Sequence, residues 1–197
     1  MQKKIFLLLT GLLGTSLHLT ADVGFAKSNT DLLLNGEKVG VLRVLSPVEV
    51  ISEEGNLLKI KVSGYQLANY PMAIVRDTQR NEEYAFLNKD KTSSLRSLKK
   101  EEDEYGESWD KVEGVYTVAS QAISKDNKSL YTQAKDVYES TCGGCHGVPQ
   151  AKDYTVNQWP NQIKTMNAKV TLDSDTKWLV TKYLQQNAKN AKSKDLK

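Results

Sequence analysis

Three residues in one short segment have the types and spacing needed to hold an iron porphyrin. Cys142, Cys145 and His146 form a Cys-x-x-Cys-His motif, which contains both cysteines of the chain. Two thiols three positions apart on a helical turn face the same way, so both can add to the vinyl groups of one porphyrin. The adjacent imidazole then lies below the iron as its proximal ligand. The motif therefore predicts one covalently attached c-type haem.

Three other readings of this motif explain less of it. A thioredoxin-like dithiol requires a strand before the motif, whereas an amphipathic helical pattern precedes Cys142. A structural zinc site requires four protein ligands, and the motif offers three without a second Cys/His pair elsewhere. A simple disulfide between Cys142 and Cys145 leaves His146 without a role. Haem attachment is the reading that uses all three residues.

The first 26 residues have the pattern of a secretory signal peptide. Lys3 and Lys4 form a basic start, residues 5–17 are predominantly apolar, and residues 24–26 (GFA) form a small-x-small cleavage site. The apolar stretch is shorter than the ~20 residues that a membrane helix needs. The pattern predicts cleavage after Ala26 and a periplasmic protein with no membrane span after cleavage.

The second axial ligand of the haem iron is predicted by elimination. Cleavage would leave His146 as the sole histidine, with Met72 and Met166 as the remaining methionines. Met166 lies twenty positions beyond His146, near the end of a predicted helix, and a soft thioether suits haem iron. We therefore favour Met166 as the ligand. Met72, a lysine or an open position are the alternative ligands, and a structural methionine that fills a gap in the core is the alternative role for Met166.

The first half of the chain has the pattern of short strands joined by tight turns. Residues 38–44, 48–52, 57–62, 73–77 and 84–87 are rich in β-branched and apolar side chains. Turn residues such as Ser46-Pro47 and Glu54-Gly55-Asn56 separate them. The charge run at 99–107 fits a solvated hairpin tip. Strands this short predict a small SH3-like β-barrel over residues 27–125.

Residues 126–197 change to a helical period. A helix with Leu130, Ala134 and Tyr138 on one face leads into the motif, and a second begins near Thr155 with capping-box spacing. Asp173 is placed to cap a third helix. The predicted fold class is therefore α+β with two domains, in which an all-α domain follows the small SH3-like barrel.

Net charge differs between the two halves. Residues 27–126 carry a net charge of −3, whereas residues 127–197 carry +5. This asymmetry is too small and too mixed to indicate nucleic-acid binding. It is compatible with electrostatic steering towards an acidic protein surface.

The helical half resembles a small class I cytochrome c, in which the first and last helices cross and close the haem crevice. More closely, residues 138–147 (YESTCGGCHG), 157–160 (NQWP) with Met166, and 182–189 (KYLQQNAK) resemble the C-terminal monohaem domain of the Tor-type cytochromes. Residues 36–40 (GEKVG) and 105–109 (YGESW) resemble the β half of the same proteins. The resemblance covers most of the chain beyond the predicted signal peptide.

The resemblance implies a monohaem electron carrier to a periplasmic molybdenum reductase acting on trimethylamine N-oxide or a related N-oxide or S-oxide. Tor-type cytochromes carry a membrane-anchored tetrahaem region before this part, and here a signal peptide takes its place. A separate quinol-linked donor is therefore expected.

If His146 and Met166 fill both axial positions of the iron, no position is left for a substrate. We therefore expect an electron-transfer protein and not an enzyme. Lys164 and Lys169 flank Met166 in sequence and are the predicted contact residues for the acceptor. A haem-based sensor and an assembly module are the alternatives from other functional classes.

Overall fold

The computed structural model describes residues 22–143 and 147–191, and within them the chain is mostly β. Strands occupy 43% of these residues. The strands are β1 (Asp22–Ala26), β2 (Thr30–Leu34), β3 (Glu37–Leu42), β4 (Pro47–Glu54), β5 (Leu57–Leu67), β6 (Tyr70–Asp77), β7 (Arg80–Leu87), β8 (Arg96–Glu102), β9 (Ser108–Ala119) and β10 (Ile123–Ser124). The α-helices are α1 (Lys128–Val137), α2 (Trp159–Asn167) and α3 (Ser174–Gln186).

Two long antiparallel strands, β5 and β9, organise the sheet. They pair along the full length of β5, from Leu57 opposite Ala119 to Leu67 opposite Trp109. On its other edge β5 pairs first with β4 and then with β6, while β9 pairs with β8 and then with β2. The order β5-β6-β7-β3-β2-β9 closes a six-stranded barrel, and β4, β1 and β10 extend it on one side.

Apolar side chains that alternate along the strands fill the barrel. On β5, Leu58, Ile60 and Val62 are buried, whereas the lysines between them are more exposed. They belong to a core shared with β1, β2, β3, β7 and β9. This alternation is that of a strand with one buried face, and Trp109 on β9 is buried as well.

Strand β1 lies within the segment that the sequence pattern assigns to the signal peptide. Its register pairs Asp22 with Val50 and Phe25 with Pro47, and Ala26 is fully buried in the barrel core. Residues 1–21 lie outside the described part of the chain. The end of β1, Phe25 and Ala26, also pairs with β10 just before the helices begin.

The helices are not a separate layer after the barrel but share a core with it. Val44 and Leu45, which follow β3, form one buried cluster with Ala134 of α1 and Leu179 of α3. Asn157, before α2, donates to the carbonyl of Gln79 in the β6–β7 turn at 2.9 Å. The two parts of the chain therefore pack as one body.

The predicted fold class, an all-α class I-like cytochrome c domain following a small SH3-like barrel, is wrong. The ten strands within the described residues and the three short helices packed on them overturn it. Periodicity identifies each element from its own residues, but it does not show which elements bury each other. Within the described residues, no helix combines the length and the apolar character needed to cross a membrane.

Candidate haem-binding site

Helix α1 carries the first motif cysteine to its position. The helix continues past Val137 as a π-helical turn over Tyr138–Cys142, so Cys142 lies at its end. Cys142 is half-buried, and burial raises the pKa of its thiol.

An apolar cluster, called here the haem-side cluster, lies against this turn. It consists of buried side chains from the end of α1, from α2 and from α3: Tyr138, Val156, Trp159, Ile163, Val180, Leu184 and Ala188. Both Cys142 and Met166 pack against it. The structure therefore brings the predicted attachment residue Cys142 and the predicted ligand Met166 to one apolar cluster.

Trp159 is the largest fully buried side chain of this cluster. Its ring meets the rings of Tyr138 and Tyr154 edge to face, at centroid distances of 6.1 and 5.0 Å. Its indole N–H donates to the carbonyl of Ala151 at 2.9 Å. Trp159 thus ties α2 both to the end of α1 and to the loop after the motif.

Tyr138 holds the two sides of the motif together. Its hydroxyl donates to the carbonyl of Pro149 at 2.8 Å, and burial raises the pKa of its phenol. Since Tyr138 precedes the motif and Pro149 follows it, the hydrogen bond fixes the separation of the flanks. A cavity of about 230 Å³ opens here, lined in part by Tyr138, Val148, Tyr183 and Leu184.

Hydrogen bonds in the segments that flank α2 help to position the helix and Met166. The side-chain carbonyl of Gln158 accepts from the backbone N–H of Thr155 at 2.9 Å, which begins the turn leading into α2. At the other end, the N–H of Leu172 donates to the Asn167 side chain at 2.9 Å. Met166 therefore lies in the last turn of a helix with both ends anchored. Met72 lies on β6 and is not part of the haem-side cluster.

Helix α3 forms the wall between this site and the barrel. Asp173 caps it, because its carboxylate accepts from the backbone N–H groups of Asp175 and Thr176, as predicted. Val180 and Leu184 face the haem-side cluster, whereas Lys182 and Gln186 reach towards the barrel. The sequence patterns did not reveal these barrel contacts.

The described residues fit a haem. A half-buried thiol and a thioether packed on the same apolar cluster supply one attachment atom and a soft ligand, and Tyr138 and Leu184 of that cluster also line the cavity. Cys145 and His146 lie outside the described residues, so the remaining thiol and the imidazole stay predictions. The sequence patterns did not identify Tyr154 or the ring contacts of Trp159 as part of the site. The presence of aromatic residues near a haem motif was the signal that could have identified them.

Comparisons with known proteins agree with these features. A family model described as the TorC third cytochrome c domain matches residues 15–123, more than half of the chain. That match covers the barrel and ends before Cys142. No solved structure matches the chain.

Relatives extend the similarity into the helices. The cytochrome c-type protein TorY of Escherichia coli O157:H7 is 26% identical over 161 residues, 80% of this chain and 44% of that protein. TorC of Escherichia coli (strain K12) is 24% identical over 160 residues, 80% of this chain and 41% of that protein. TorY of Haemophilus influenzae is 24% identical over 138 residues, which are 70% of this chain and 38% of that protein. The chain spans less than half the length of these curated relatives. The family match and these similarities show that the chain belongs to the Tor family of c-type cytochromes.

Proposed function

We propose that this chain is a periplasmic monohaem c-type cytochrome that carries electrons to a terminal molybdenum reductase acting on N-oxides or S-oxides such as trimethylamine N-oxide. The observation that supports it most is the convergence of Cys142 and Met166 on the haem-side cluster in a chain of the Tor family. A separate quinol-linked protein supplies the electrons. The haem, when bound, supplies one-electron cycling between ferric and ferrous iron.

Each site residue has a proposed role. Cys142 and Cys145 would hold the haem covalently, and His146 and Met166 would be the ligands of its iron. Tyr138 and Trp159 keep the flanking loop and α2 in place and exclude water. With both axial positions filled, the protein transfers electrons and does not bind substrate at iron.

Covalent attachment is tested on the purified protein by a reduced-minus-oxidised spectrum and by acid-acetone extraction. We expect c-type bands and a haem that stays with the polypeptide. Haem that is extracted from the wild-type protein would refute covalent attachment. Carbon monoxide binding to the reduced native protein would refute two filled axial positions and favour the sensor alternative.

Ligation by Met166 is tested with two methionine variants. A methionine–iron bond gives a weak ferric absorption near the red end of the spectrum, and Met166→Ala should abolish it. Met72→Ala is the matched control and should retain the band. Loss of the band in Met72→Ala and its survival in Met166→Ala would identify Met72 as the ligand.

The acceptor is tested by mixing reduced protein with a periplasmic N-oxide reductase. Lys164 and Lys169 are both exposed at or just after the end of α2, beside the proposed ligand. Transient redox pairs rely on electrostatic steering, so reoxidation should slow with added salt and in Lys164→Glu and Lys169→Glu. A rate insensitive to salt and to both charge reversals would refute this docking, and no reoxidation would refute the acceptor.

A further inference from the structure

A fully buried ion pair joins the barrel to helix α3. Glu82 of β7 accepts a hydrogen bond from Lys182 Nζ at 2.8 Å and from Gln186 Nε2 at 2.7 Å through the same carboxylate oxygen. Its other oxygen lies 3.2 Å from Arg76 Nη1 on β6. The side chains of Glu82 and Lys182 are both 0% exposed. These charges therefore lie entirely out of solvent.

The ammonium group of Lys182 has two partners besides the Glu82 carboxylate. It also donates to the carbonyl of Glu83 at 2.9 Å and lies 4.8 Å from the ring centroid of Tyr84. Burial lowers the pKa of Lys182, and the adjacent Glu82 carboxylate opposes that shift. Ionised groups persist in such an environment when each has several close partners, as both have here.

This ion pair lies one helix away from the haem-side cluster. Lys182 is in α3 between Val180 and Leu184, which pack into that cluster, and it precedes Tyr183, which lines the cavity near Cys142. An α-helix with its side chains is about 10–12 Å across. Charges on the two sides of one helix interact through the protein interior, where water and salt screen them less than they screen charges at a surface.

We propose that the Glu82–Lys182 pair couples the barrel electrostatically to the redox site, so that the barrel helps to set the reduction potential. The inference rests on the proposed haem site. Reduction adds one negative charge at the iron. A nearby buried cation therefore stabilises the reduced form and raises the potential, whereas a nearby buried carboxylate lowers it.

Opposite single substitutions test the coupling. Lys182→Met removes the cation with little change of shape, and Arg76 remains 3.2 Å from the Glu82 carboxylate. Glu82→Gln removes the anion and keeps an amide that can hydrogen bond. In full-length protein carrying haem, we expect the midpoint potential to fall in Lys182→Met at near-neutral pH. In Glu82→Gln the potential should rise as the pH is lowered, because Lys182 there lacks its carboxylate partner and burial favours its neutral form. The double variant should lie between them.

Lys177→Met is the matched control, because Lys177 is on the same helix but in contact with solvent. Its effect on the potential should be smaller than that of Lys182→Met. A purely structural role for the buried pair predicts a different pattern: both single variants loosen the helix, admit water and shift the potential in the same direction.

Shifts of the same sign, or no shift in either variant, would overturn the proposal. If the buried variants do not fold, Arg43→Met and Glu83→Gln provide the same comparison on a half-exposed pair 2.6 Å apart beside Trp178. They should move the potential down and up respectively, by less, and shifts of one sign would refute the coupling. Absence of a covalent haem in the wild type would instead refute the proposed function.

Discussion

Replacing Trp159 by phenylalanine should destabilise the helical part of the site in a measurable way. The indole is fully buried, its N–H donates to Ala151, and its ring contacts Tyr138 and Tyr154. Loss of the hydrogen bond costs about 1 kcal/mol. Weakened aromatic contacts and the small cavity left by the shorter ring add about 1–2 kcal/mol. The expected loss is therefore about 2–3 kcal/mol in the free energy of unfolding.

Thermal unfolding followed by circular dichroism measures this loss. For a chain of this length, 1 kcal/mol corresponds to roughly 2–4 °C in Tm, so Trp159→Phe should lower Tm by about 4–12 °C. Trp178→Phe is the control, since that ring is partly exposed and its indole lies 4.3 Å from the Arg43 guanidinium at the edge of a smaller apolar cluster. It should cost less than about 1 kcal/mol. Equal effects of the two substitutions would refute the central packing role of Trp159.

Three further predictions concern the barrel, the cap of α3 and the N-terminus. Gly64→Ala should strongly destabilise the barrel in urea unfolding, because a Cβ there would lie 2.5 Å from the carbonyl oxygen of Val75, and unchanged stability would contradict that packing. Hydrogen bonds from the first turn of α3 lower the pKa of Asp173 below 3.8. The cap should therefore stabilise the protein above that pH, and this stabilisation should fade as the pH falls towards the lowered pKa. The difference in free energy of unfolding between wild type and Asp173→Ala should shrink in acid, and a difference that persists there would refute the lowered pKa. Because β1 (Asp22–Ala26) is part of the sheet, intact mass should show cleavage at or before Ala21, whereas a mature chain beginning at Lys27 would contradict it.

Local patterns predicted the elements of this fold well because their causes are local. Alternation in Leu58, Ile60 and Val62 follows from one buried face of β5, and Asp173 caps α3 because its side chain reaches N–H groups two and three residues away. The change from strands to helices after Ser124 was predicted for the same reason. Each of these features depends on residues close together in the sequence.

The architecture was not predicted because its causes lie far apart in the chain. Glu82 follows Asn81 and precedes Glu83, and such a polar run reads as a solvent-facing strand segment. Lys182 equally reads as a surface residue of a helix. Only their pairing makes both burials possible, and no periodicity within either element encodes it. The candidate site is specified by a five-residue motif, and the described residues place Cys142 and Met166 on one apolar cluster, whereas Cys145 and His146 stay predictions.

The pairing of Glu82 with α3 also has a consequence for the order of folding. The hydrogen bond from Gln186 to Glu82 spans 104 residues of sequence. The barrel strands precede α3 in the chain, and contacts over such separations form late because long loops must close. Until α3 arrives, Glu82 faces water and keeps its hydration. The buried charges therefore lose contact with water when α3 packs onto the barrel. Docking of α3 thus completes the folding of the barrel as well as of the helices.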